Sequence, residues 1–354
     1  MMATILETVL GKTKIDLAGL CAGRRKVQEQ EPYKETDLDD ILRRIEADDP
    51  TIVAPDKLHS RGLRPRWLAR LGYAMSGGKN THLRELNLSL NALAVEVEID
   101  FKHFEVFARR AASHRYLQTL NLSYNALGLE AAKAVAQLCA RSHCLRRLDM
   151  HGNKLGPAGT AELCKGVCVS SSLEELDLSE NDLGDEGAGK AAVMLVMNRS
   201  LISLKLDGNW IGVAGLSQLG SSLAKNFSLC HLSVADNDVA HVLRHGVADV
   251  RGLRHLLSME SAQSLTTLDL SNTHIGSEGA KAVAERLVVH PTLTELHLSG
   301  CGIEKESDVS QRLVNMMRAN PRIIRLHLYR NPLNWGALDL DDDTGKRVLM
   351  FEGF

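Results

Sequence analysis

The chain has 354 residues, of which 44% are hydrophobic and only 4% aromatic, so it can bury a sizeable and mainly aliphatic core. Its 42 basic and 44 acidic residues give a formal charge of −2. This balance excludes the strongly basic composition of proteins that bind nucleic acid or anionic membranes through charge, so neither is an expected partner.

The expected compartment is the cytoplasm. The seven cysteines form an odd set, whereas secreted scaffolds usually carry an even number at framework spacings. The first twenty residues have no basic residue ahead of their apolar stretch and include Glu7, which argues against a secretory signal peptide. No run approaches the ~18 apolar residues of a membrane span, so no membrane insertion is expected.

Residues 1–50 contain no recognisable repeat and are predicted to form an N-terminal extension or cap with one amphipathic helix. Thr36 is the expected N-cap of that helix, because acidic residues follow it in the first turn. The apolar face of the helix would comprise Leu38, Ile41, Leu42 and Ile45. A second helix is predicted to begin at Pro65, as the convex helix of a degenerate entry repeat.

Nine similar segments of the pattern LxxLxLxxNxL follow this entry region. Their first, fourth, sixth and eleventh residues are Leu, Ile, Val or Met without exception. The segments begin at Leu83, Leu117, Leu145, Leu173, Leu201, Leu229, Leu265, Leu293 and Ile323. The alternation in LxxLxL predicts a short strand with one buried face, and the usual spacing of 28 residues leaves room for a helix in each repeat.

This pattern resembles leucine-rich repeats, in particular the ribonuclease-inhibitor-like subclass, over residues 51–335. The resemblance implies an α/β solenoid of horseshoe shape, with a parallel concave sheet and convex helices. Gly184 and Gly187 are expected to let one convex helix approach the sheet closely. Residues 336–354 are predicted to form a C-terminal tail or cap. We expect it to fold back onto the last repeat, because a solenoid end exposes apolar surface, and the alternative is that it docks on a partner.

The ninth position of the segments is predicted to be structural. It is asparagine in seven repeats: Asn91, Asn125, Asn153, Asn181, Asn209, Asn237 and Asn331. Backbone groups leave the strand ladder at this bend and need partners, which a short amide side chain supplies. Thr273 and Cys301 replace asparagine in the remaining two repeats.

Two repeats are longer than the others. The first contains Phe101, Phe104 and Phe107, whose spacing places them near one helical face and favours a role in the core. The second carries an insertion after Val239 that makes it eight residues longer than the usual repeat. Insertions of this kind are where a repeat protein can carry contacts specific to one partner.

One segment imitates a phosphate-binding loop. Residues 184–190 match GxxxxGK, and they follow a predicted strand. However, Ala191 stands where Ser or Thr must hold magnesium, and Asp185 and Glu186 would repel phosphate groups. We therefore interpret the segment as repeat consensus and expect no nucleotide cofactor.

No metal site or catalytic group is predicted from the spacings. Cys139 and Cys168 occupy columns that are apolar in other repeats, and Cys164 lies one helical turn from Cys168, so all three are interpreted as core. His241 and His245 form an i, i+4 pair without an obvious further ligand. The chain is accordingly expected not to be an enzyme and to need no cofactor.

The third, fifth and seventh positions of each segment are expected to line the concave face. Their acids are Glu85, Asp149, Glu175, Asp177, Asp207, Asp269 and Glu295, and their bases are Arg147, Lys205 and Arg325. The predicted partner-binding residues are Glu85, Glu175, Asp177, Asp207, Asp269, Glu295, Arg325, His327, Tyr329 and Arg330, with His297 beside them. Such a face favours protein partners with a basic surface, although any solvated sheet face also carries charge.

The resulting functional hypothesis is a non-catalytic scaffold for protein–protein interaction. Similar leucine-rich-repeat chains occur as subunits of cytoplasmic, cytoskeletal and ciliary assemblies. The layout also resembles the Ran GTPase-activating proteins, and this resemblance implies an alternative in which Arg61 acts on a bound GTPase. Arg61 lies 22 residues before Leu83, as the key arginine of that family does before its next repeat, and Asn125 matches the supporting asparagine.

Overall fold

A short β-strand occupies the centre of each of the nine predicted segments. The nine repeat strands are β1 (Glu85–Asn87), β2 (Thr119–Asn121), β3 (Arg147–Asp149), β4 (Glu175–Asp177), β5 (Ser203–Lys205), β6 (His231–Ser233), β9 (Thr267–Asp269), β10 (Glu295–His297) and β11 (Arg325–His327). They pair in parallel as neighbours in chain order, apart from the insertion between β6 and β9. This computed structural model therefore confirms the predicted α/β solenoid.

The alternation of apolar residues explains the orientation of the strands. In β4, Leu176 is buried between Glu175, which is exposed, and Asp177, which is half-buried. The register keeps equivalent residues side by side, so Leu148, Leu176 and their counterparts form one continuous buried column. Each repeat buries its apolar face against its neighbours, which is why no single repeat is a stable unit.

A helix follows nearly every strand and covers the buried face of the sheet. The helices of the array are α2 (Pro65–Ala74), α3 (Glu98–Ala112), α4 (Gly128–Arg141), α5 (Gly156–Val169), α6 (Gly184–Met197), α7 (Val213–Leu223), α8 (Arg251–Leu256), α9 (Gly276–Leu287) and α10 (Ser307–Ala319). Consecutive helices pack against one another. As predicted, α2 begins at Pro65, in the first turn, where a missing N–H costs nothing.

The two glycines at the start of α6 have different roles. A Cβ on Gly187 would lie 2.8 Å from the Leu183 Cβ at the start of the same helix and 3.6 Å from the Pro157 Cα of α5, so the close approach at this position is to these two residues and not, as predicted, to the sheet. A Cβ on Gly184 would meet nothing within 4 Å, and the prediction of a close approach there is wrong. Gly184 instead adopts a φ of +58°, which glycine accepts without the strain that a side chain introduces.

The N-terminal helix α1 (Glu35–Glu46) packs beside α2. Its predicted N-cap is wrong: the helix already includes Glu35, so Thr36 lies inside it. The predicted apolar face is confirmed, because Leu38, Ile41, Leu42 and Ile45 are all buried. The carboxylate of Asp39 accepts a hydrogen bond from Arg70 of α2, which attaches the helix to the entry repeat.

The two long repeats differ in how they use their extra residues. Phe104 and Phe107 of α3 are fully buried, with ring centroids 6.2 Å apart, whereas Phe101 is half-buried. The insertion after Val239 forms a two-stranded antiparallel ribbon, β7 (His241–Val242) and β8 (Ala248–Asp249), followed by the six-residue helix α8. The side chain of His241 and all of His245 lie outside the described residues.

The asparagine column forms a ladder of buried amides, as predicted. In Asn181, the Nδ2 group donates hydrogen bonds to the carbonyls of Met150 (2.9 Å) and Leu178 (3.0 Å). The Oδ1 atom of Asn181 accepts hydrogen bonds from the backbone N–H groups of Asn153 (3.0 Å) and Leu155 (3.3 Å). Each amide therefore joins two repeats.

The sheet ends in a tenth strand, β12 (Val348–Leu349), which pairs in parallel with β11. The predicted folding back of the C-terminal segment is confirmed for these two residues. The structure describes residues 35–55, 58–76, 80–91, 93, 98–242, 248–258, 264–304, 307–333 and 348–349, so the rest of the predicted segments 1–50 and 336–354 lies outside it. None of the helices in these ranges is long and apolar enough to span a bilayer.

Candidate functional site: the concave face of the sheet

The exposed face of the sheet carries three rows of side chains, one for each outward position of the repeat. The third-position row is Glu85, Thr119, Arg147, Glu175, Ser203, His231, Thr267, Glu295 and Arg325. The fifth-position row is Asn87, Asn121, Asp149, Asp177, Lys205, Ser233, Asp269, His297 and His327. The seventh-position row is Ser89, Ser123, His151, Ser179, Asp207, Ala235, Ser271, Ser299 and Tyr329. Strand register places members of the first two rows side by side.

The carboxylates of the fifth-position row have a structural role that the sequence analysis did not identify. The Oδ1 atoms of Asp149, Asp177 and Asp269 each accept a hydrogen bond from the backbone N–H two residues later, at 2.8–3.0 Å. Asn87 and Asn121 accept the same bond at their positions. These side chains close turns where the strand ends, and an amide performs this role as well as a carboxylate.

Asp207 in the seventh-position row supplies the acceptor that closes this turn in the following repeat. Ser233 occupies the fifth position there, and the Asp207 Oδ1 atom accepts hydrogen bonds from the Ser233 hydroxyl and from the Ala235 N–H (3.0 Å). Burial, reinforced by the nearby carboxylates of Asp269 and Asp177, raises the pKa of Asp207 to about 6. Because ionisation is harder in the folded chain than in the unfolded one, the charge of Asp207 opposes folding above that pH.

The bases of the concave face are paired with acids of the same face. Arg147 Nε lies 2.9 Å from Glu175 Oε1, and Lys205 Nζ lies 3.8 Å from Asp177 Oδ2. Arg325 Nη1 lies 3.7 Å from Glu295 Oε2. Each of the three bases is paired with one of the seven acids. The remaining four acids give the face a net negative charge.

Four acids of the concave face have no basic side chain within 4.0 Å among the described residues: Glu85, Asp149, Asp207 and Asp269. They account for the net excess of seven acids over three bases. The pKa of Asp149 is raised, chiefly by burial and then by the adjacent Asp177. The carboxylate of Asp177 raises the pKa of both Asp149 and Asp207, which marks this part of the face as a region of negative potential.

A cluster of histidine and tyrosine side chains around Glu295 lies at the C-terminal end of the face. The Nε2 atoms of His327 and His297 lie 3.0 and 3.2 Å from the same oxygen, Glu295 Oε1. The two imidazole rings stack with centroids 3.9 Å apart, and the Tyr329 ring lies 5.8 Å from that of His327. The structure thus brings together Glu295, Arg325, His327 and Tyr329 of the predicted site, whereas Arg330 lies at the following turn with a φ of 56°.

The environment of His327 disfavours its positive charge. Burial lowers its pKa most, His297 and Arg325 lower it further, and Glu295 acts in the opposite direction.

Glu295, His297 and His327 also offer three ligand atoms within 4.8 Å of one another, an arrangement able to hold a metal ion. The sequence analysis named no metal ligand, although aligning the repeats places His297 and His327 in one column.

The residues of the GTPase-related alternative lie at the other end of the sheet. The Arg61 N–H donates to Asn91 Oδ1 (2.9 Å), and the Asn91 N–H donates to Asn125 Oδ1 (3.0 Å), so Arg61 and Asn125 are two rungs apart on the ladder. Arg61 is half-buried, and no hydrogen-bond partner is found for its buried Nε atom within the described ranges. Asn125 is buried, and its Nδ2 atom donates to Leu88 and Leu122 carbonyls.

Residues 184–190, which match the phosphate-loop pattern, pack against the following helix α7. Asp185 Oδ1 accepts hydrogen bonds from the N–H groups of Gly212 (2.7 Å) and Gly215 (2.8 Å), at the start of α7. A Cβ on Gly189 would lie 2.2 Å from the Gln218 side chain, which fills the space beside the loop. The segment therefore joins two repeats, as its interpretation as repeat consensus predicted.

The interpretation of the cysteines as core residues is confirmed for two of them. Cys139 and Cys164 are buried, and burial raises the pKa of each thiol to about 12. Cys168 is half-buried, so its assignment to the core is wrong, because its column is apolar without being buried: the equivalent residues Val196 and Ala224 are half-buried as well. Neither buried thiol is available as a nucleophile.

Comparison with protein families identifies the repeats. The profile of the family described as Leucine Rich repeat matches seven segments: residues 79–96, 113–136, 141–164, 169–190, 198–220, 261–284 and 289–307. Each matched segment includes one of the repeat strands described above. The chain is a leucine-rich-repeat solenoid. Leucine-rich-repeat proteins expose extended surfaces for binding, and this architecture is that of a protein-interaction scaffold.

Several solved leucine-rich-repeat and other structures are similar to the chain. LegL7, a leucine-rich-repeat-containing protein from Legionella pneumophila, is 20% identical over 74% of this chain and 78% of its own, with a TM-score of 0.49. The TLR13–ssRNA13 complex is 20% identical over 73% of this chain and 34% of its own, at 0.46. Actin-binding site 2 of leiomodin-1 is 16% identical over 46% and 72%, at 0.27. No curated protein matches the chain.

Proposed function

We propose that this leucine-rich-repeat chain is a non-catalytic scaffold whose concave face binds a protein with a basic surface. In this proposal it serves as an adaptor or structural subunit of a cytoplasmic assembly, such as one of the cytoskeleton or the cilium. The observation that carries the proposal is the net negative charge of this face, on which Glu85, Asp149, Asp207 and Asp269 have no ion pair within 4.0 Å among the described residues.

The arrangement of these charges favours recognition. The rows extend over nine strands whose backbone hydrogen bonds hold them in register, and the carboxylates of Asp149, Asp177 and Asp269 are also oriented by the turns that they close. Opposite charges on two surfaces accelerate encounter and exclude partners of the wrong sign. The aromatic and histidine side chains at the C-terminal end, Tyr329 among them, add a surface suited to less charged contacts.

The turn-closing role of the fifth-position row allows a precise test. Replacing Asp149, Asp177 and Asp269 together with asparagine removes three negative charges but keeps each Oδ1 acceptor, as Asn87 and Asn121 do naturally. We expect this triple variant to fold normally and to bind a concave-face partner at least about tenfold more weakly, which corresponds to ~1.4 kcal/mol. Binding of the unaltered chain should also weaken with added salt, because exposed charges are screened.

The matched control neutralises three exposed acids of the convex helices, Glu130→Gln, Glu186→Gln and Glu285→Gln. Proteins captured from a cell lysate by the unaltered chain are identified by mass spectrometry, and their affinities are then measured with purified components. A partner that is lost by the triple asparagine variant and kept by the control supports the proposal. Partners retained equally by both variants contradict it and place the interface elsewhere, with the insertion after Val239 as the next surface to test.

A second candidate function is activation of a GTPase through Arg61. The observations that favour it are the half-buried Arg61 side chain, with its Nε atom lacking a partner among the described residues, and the anchoring of its backbone by Asn91. An arginine supplied to a GTPase can accelerate hydrolysis by ~10³–10⁵-fold. This alternative differs from the scaffold in predicting a change in nucleotide turnover.

A further inference from the structure

We propose that Glu295, His297 and His327 form a binding site for a divalent transition-metal ion, with Zn²⁺ as the best match. Two imidazole nitrogens and one carboxylate oxygen are a donor set that proteins use for zinc, with a further position left for water or another ligand. The site lies at the C-terminal end of the concave face and does not depend on the identity of the protein partner.

The strands determine the placement of the three ligands. Glu295 and His297 are two residues apart on β10, so their side chains leave the same face of the sheet. His327 on β11 is in register with His297, and adjacent strands lie ~4.8 Å apart. The three residues therefore occupy three corners of a rectangle on a hydrogen-bonded sheet, in which the Leu298 N–H donates to the His327 carbonyl at 2.9 Å.

The distances agree with tetrahedral coordination. Zinc ligands lie at ~2.0–2.2 Å from the ion, so the ligand atoms of a tetrahedron are about 3.4 Å apart. The Glu295 Oε1 atom lies 3.0 Å from His327 Nε2 and 3.2 Å from His297 Nε2. All three ligand atoms lie within 4.8 Å of one another, and the two imidazole rings must rotate out of their parallel stack for both Nε2 lone pairs to point at one ion.

The charges around the site act in opposite directions. Arg325 occupies the fourth corner of the rectangle and is a positive charge, but it lies nearest the other carboxylate oxygen, Glu295 Oε2, and leaves Oε1 to the two histidines. Asp269 on β9 is in register with His297 and adds a negative charge beside the site.

The test is a zinc titration of the purified full chain after treatment with EDTA and removal of the chelator. Isothermal titration calorimetry gives the number of bound ions and their affinities for the unaltered chain and for His297→Ala and His327→Ala. His231→Ala is the matched control, because His231 is an exposed histidine of the same face whose register neighbours are Ser203 and Thr267. Circular dichroism verifies that each variant is folded.

The site predicts that the unaltered chain and His231→Ala bind one ion that both ligand variants lose. The affinity of that ion should fall by more than the ~10–100-fold that loss of a merely supporting residue costs. Half-buried cysteines such as Cys144 are competing ligands, so Co²⁺ is the second probe, and its spectrum should lack a thiolate charge-transfer band at this site. Equal binding by all four proteins, or a thiolate band for every bound ion, would overturn the proposal.

Discussion

Replacement of Asn181 with alanine tests whether the buried amides hold consecutive repeats together. Asn181 is fully buried, and its side chain bonds to backbone groups of its own repeat and the preceding one. The variant removes one side-chain amide without introducing charge or bulk. Its cost therefore depends on which of the former partners keep another hydrogen bond.

The carbonyl partners of Asn181 are each bonded twice. Met150 O also accepts from Asn153 Nδ2 at 2.8 Å, and Leu178 O also accepts from Asn209 Nδ2 at 2.9 Å. Similarly, Ser179 O accepts from the Gly152 N–H at 2.9 Å. These three carbonyls therefore remain satisfied in the variant.

The two backbone N–H groups that donate to Asn181 have no second acceptor among the described residues. The N–H groups of Asn153 and Leu155 are buried and lose the Oδ1 acceptor. An unsatisfied buried donor costs about 1–3 kcal/mol, so two of them predict a loss of about 2–6 kcal/mol in the free energy of unfolding. Because neighbouring repeats are coupled, the loss should be detected for the whole array.

Urea denaturation followed by circular dichroism measures this loss, with Glu186→Ala as a control on the same repeat. Glu186 is exposed, so its replacement should change the free energy of unfolding by less than about 0.5 kcal/mol. A loss below about 1 kcal/mol for Asn181→Ala, at an unchanged m value, would refute the argument. It would mean that water or a shifted backbone satisfies both N–H groups.

Two further predictions concern Asp207 and Arg61. Asp207→Asn keeps the acceptor and removes a charge whose pKa of about 6 lies roughly two units above the ordinary value, so it should stabilise the fold by up to about 3 kcal/mol at pH 7.5. This gain should disappear in urea titrations as the pH falls from about 6 to 4, and a gain independent of pH, or equal to that of the exposed Asp238→Asn, would contradict it. If Arg61 activates a GTPase, Arg61→Ala should lower stimulated GTP hydrolysis by ~10³-fold or more, while the exposed Arg64→Ala should not. An assay against a panel of GTPases in which neither variant differs from the unaltered chain would remove that candidate.

The fold was predictable because its signal is repeated. Thirty-six apolar positions in fixed spacing predict the strands, and residues such as Leu176 are buried as that pattern requires. The insertion after Val239 was recognised as an insertion, but its two-residue strands are too short to leave an alternating pattern. The N-cap of α1 was misplaced because a threonine followed by several acids is a common N-cap signal. In the structure the helix already includes Glu35, one residue before that threonine.

The candidate site was only partly predictable from the sequence. Acids on the exposed face were identified by position, but the hydrogen bonds of Asp149 and Asp177 to their own turns depend on backbone geometry. The sequence analysis placed Glu295, His297 and His327 on the concave face but did not identify them as a possible set of metal ligands, because Glu295 and His327 lie 32 residues apart in sequence and meet only through strand register. Searching adjacent columns of the repeat for imidazole and carboxylate groups would have identified this donor set.

The interrupted ladder of amides has a consequence for the cooperativity of the array. Amide-to-amide bonds run from Asn91 to Asn237, and then Thr273 and Cys301 take the next two places before Asn331. The interruption coincides with the insertion and with α8, whose six residues make it the shortest helix of the described array. Strand pairing continues there from β6 to β9, so the sheet is continuous at the position where the ladder of buried amides is interrupted. In a one-dimensional lattice with nearest-neighbour coupling, a junction that lacks one of the recurring bonds is the expected boundary between cooperative blocks of repeats.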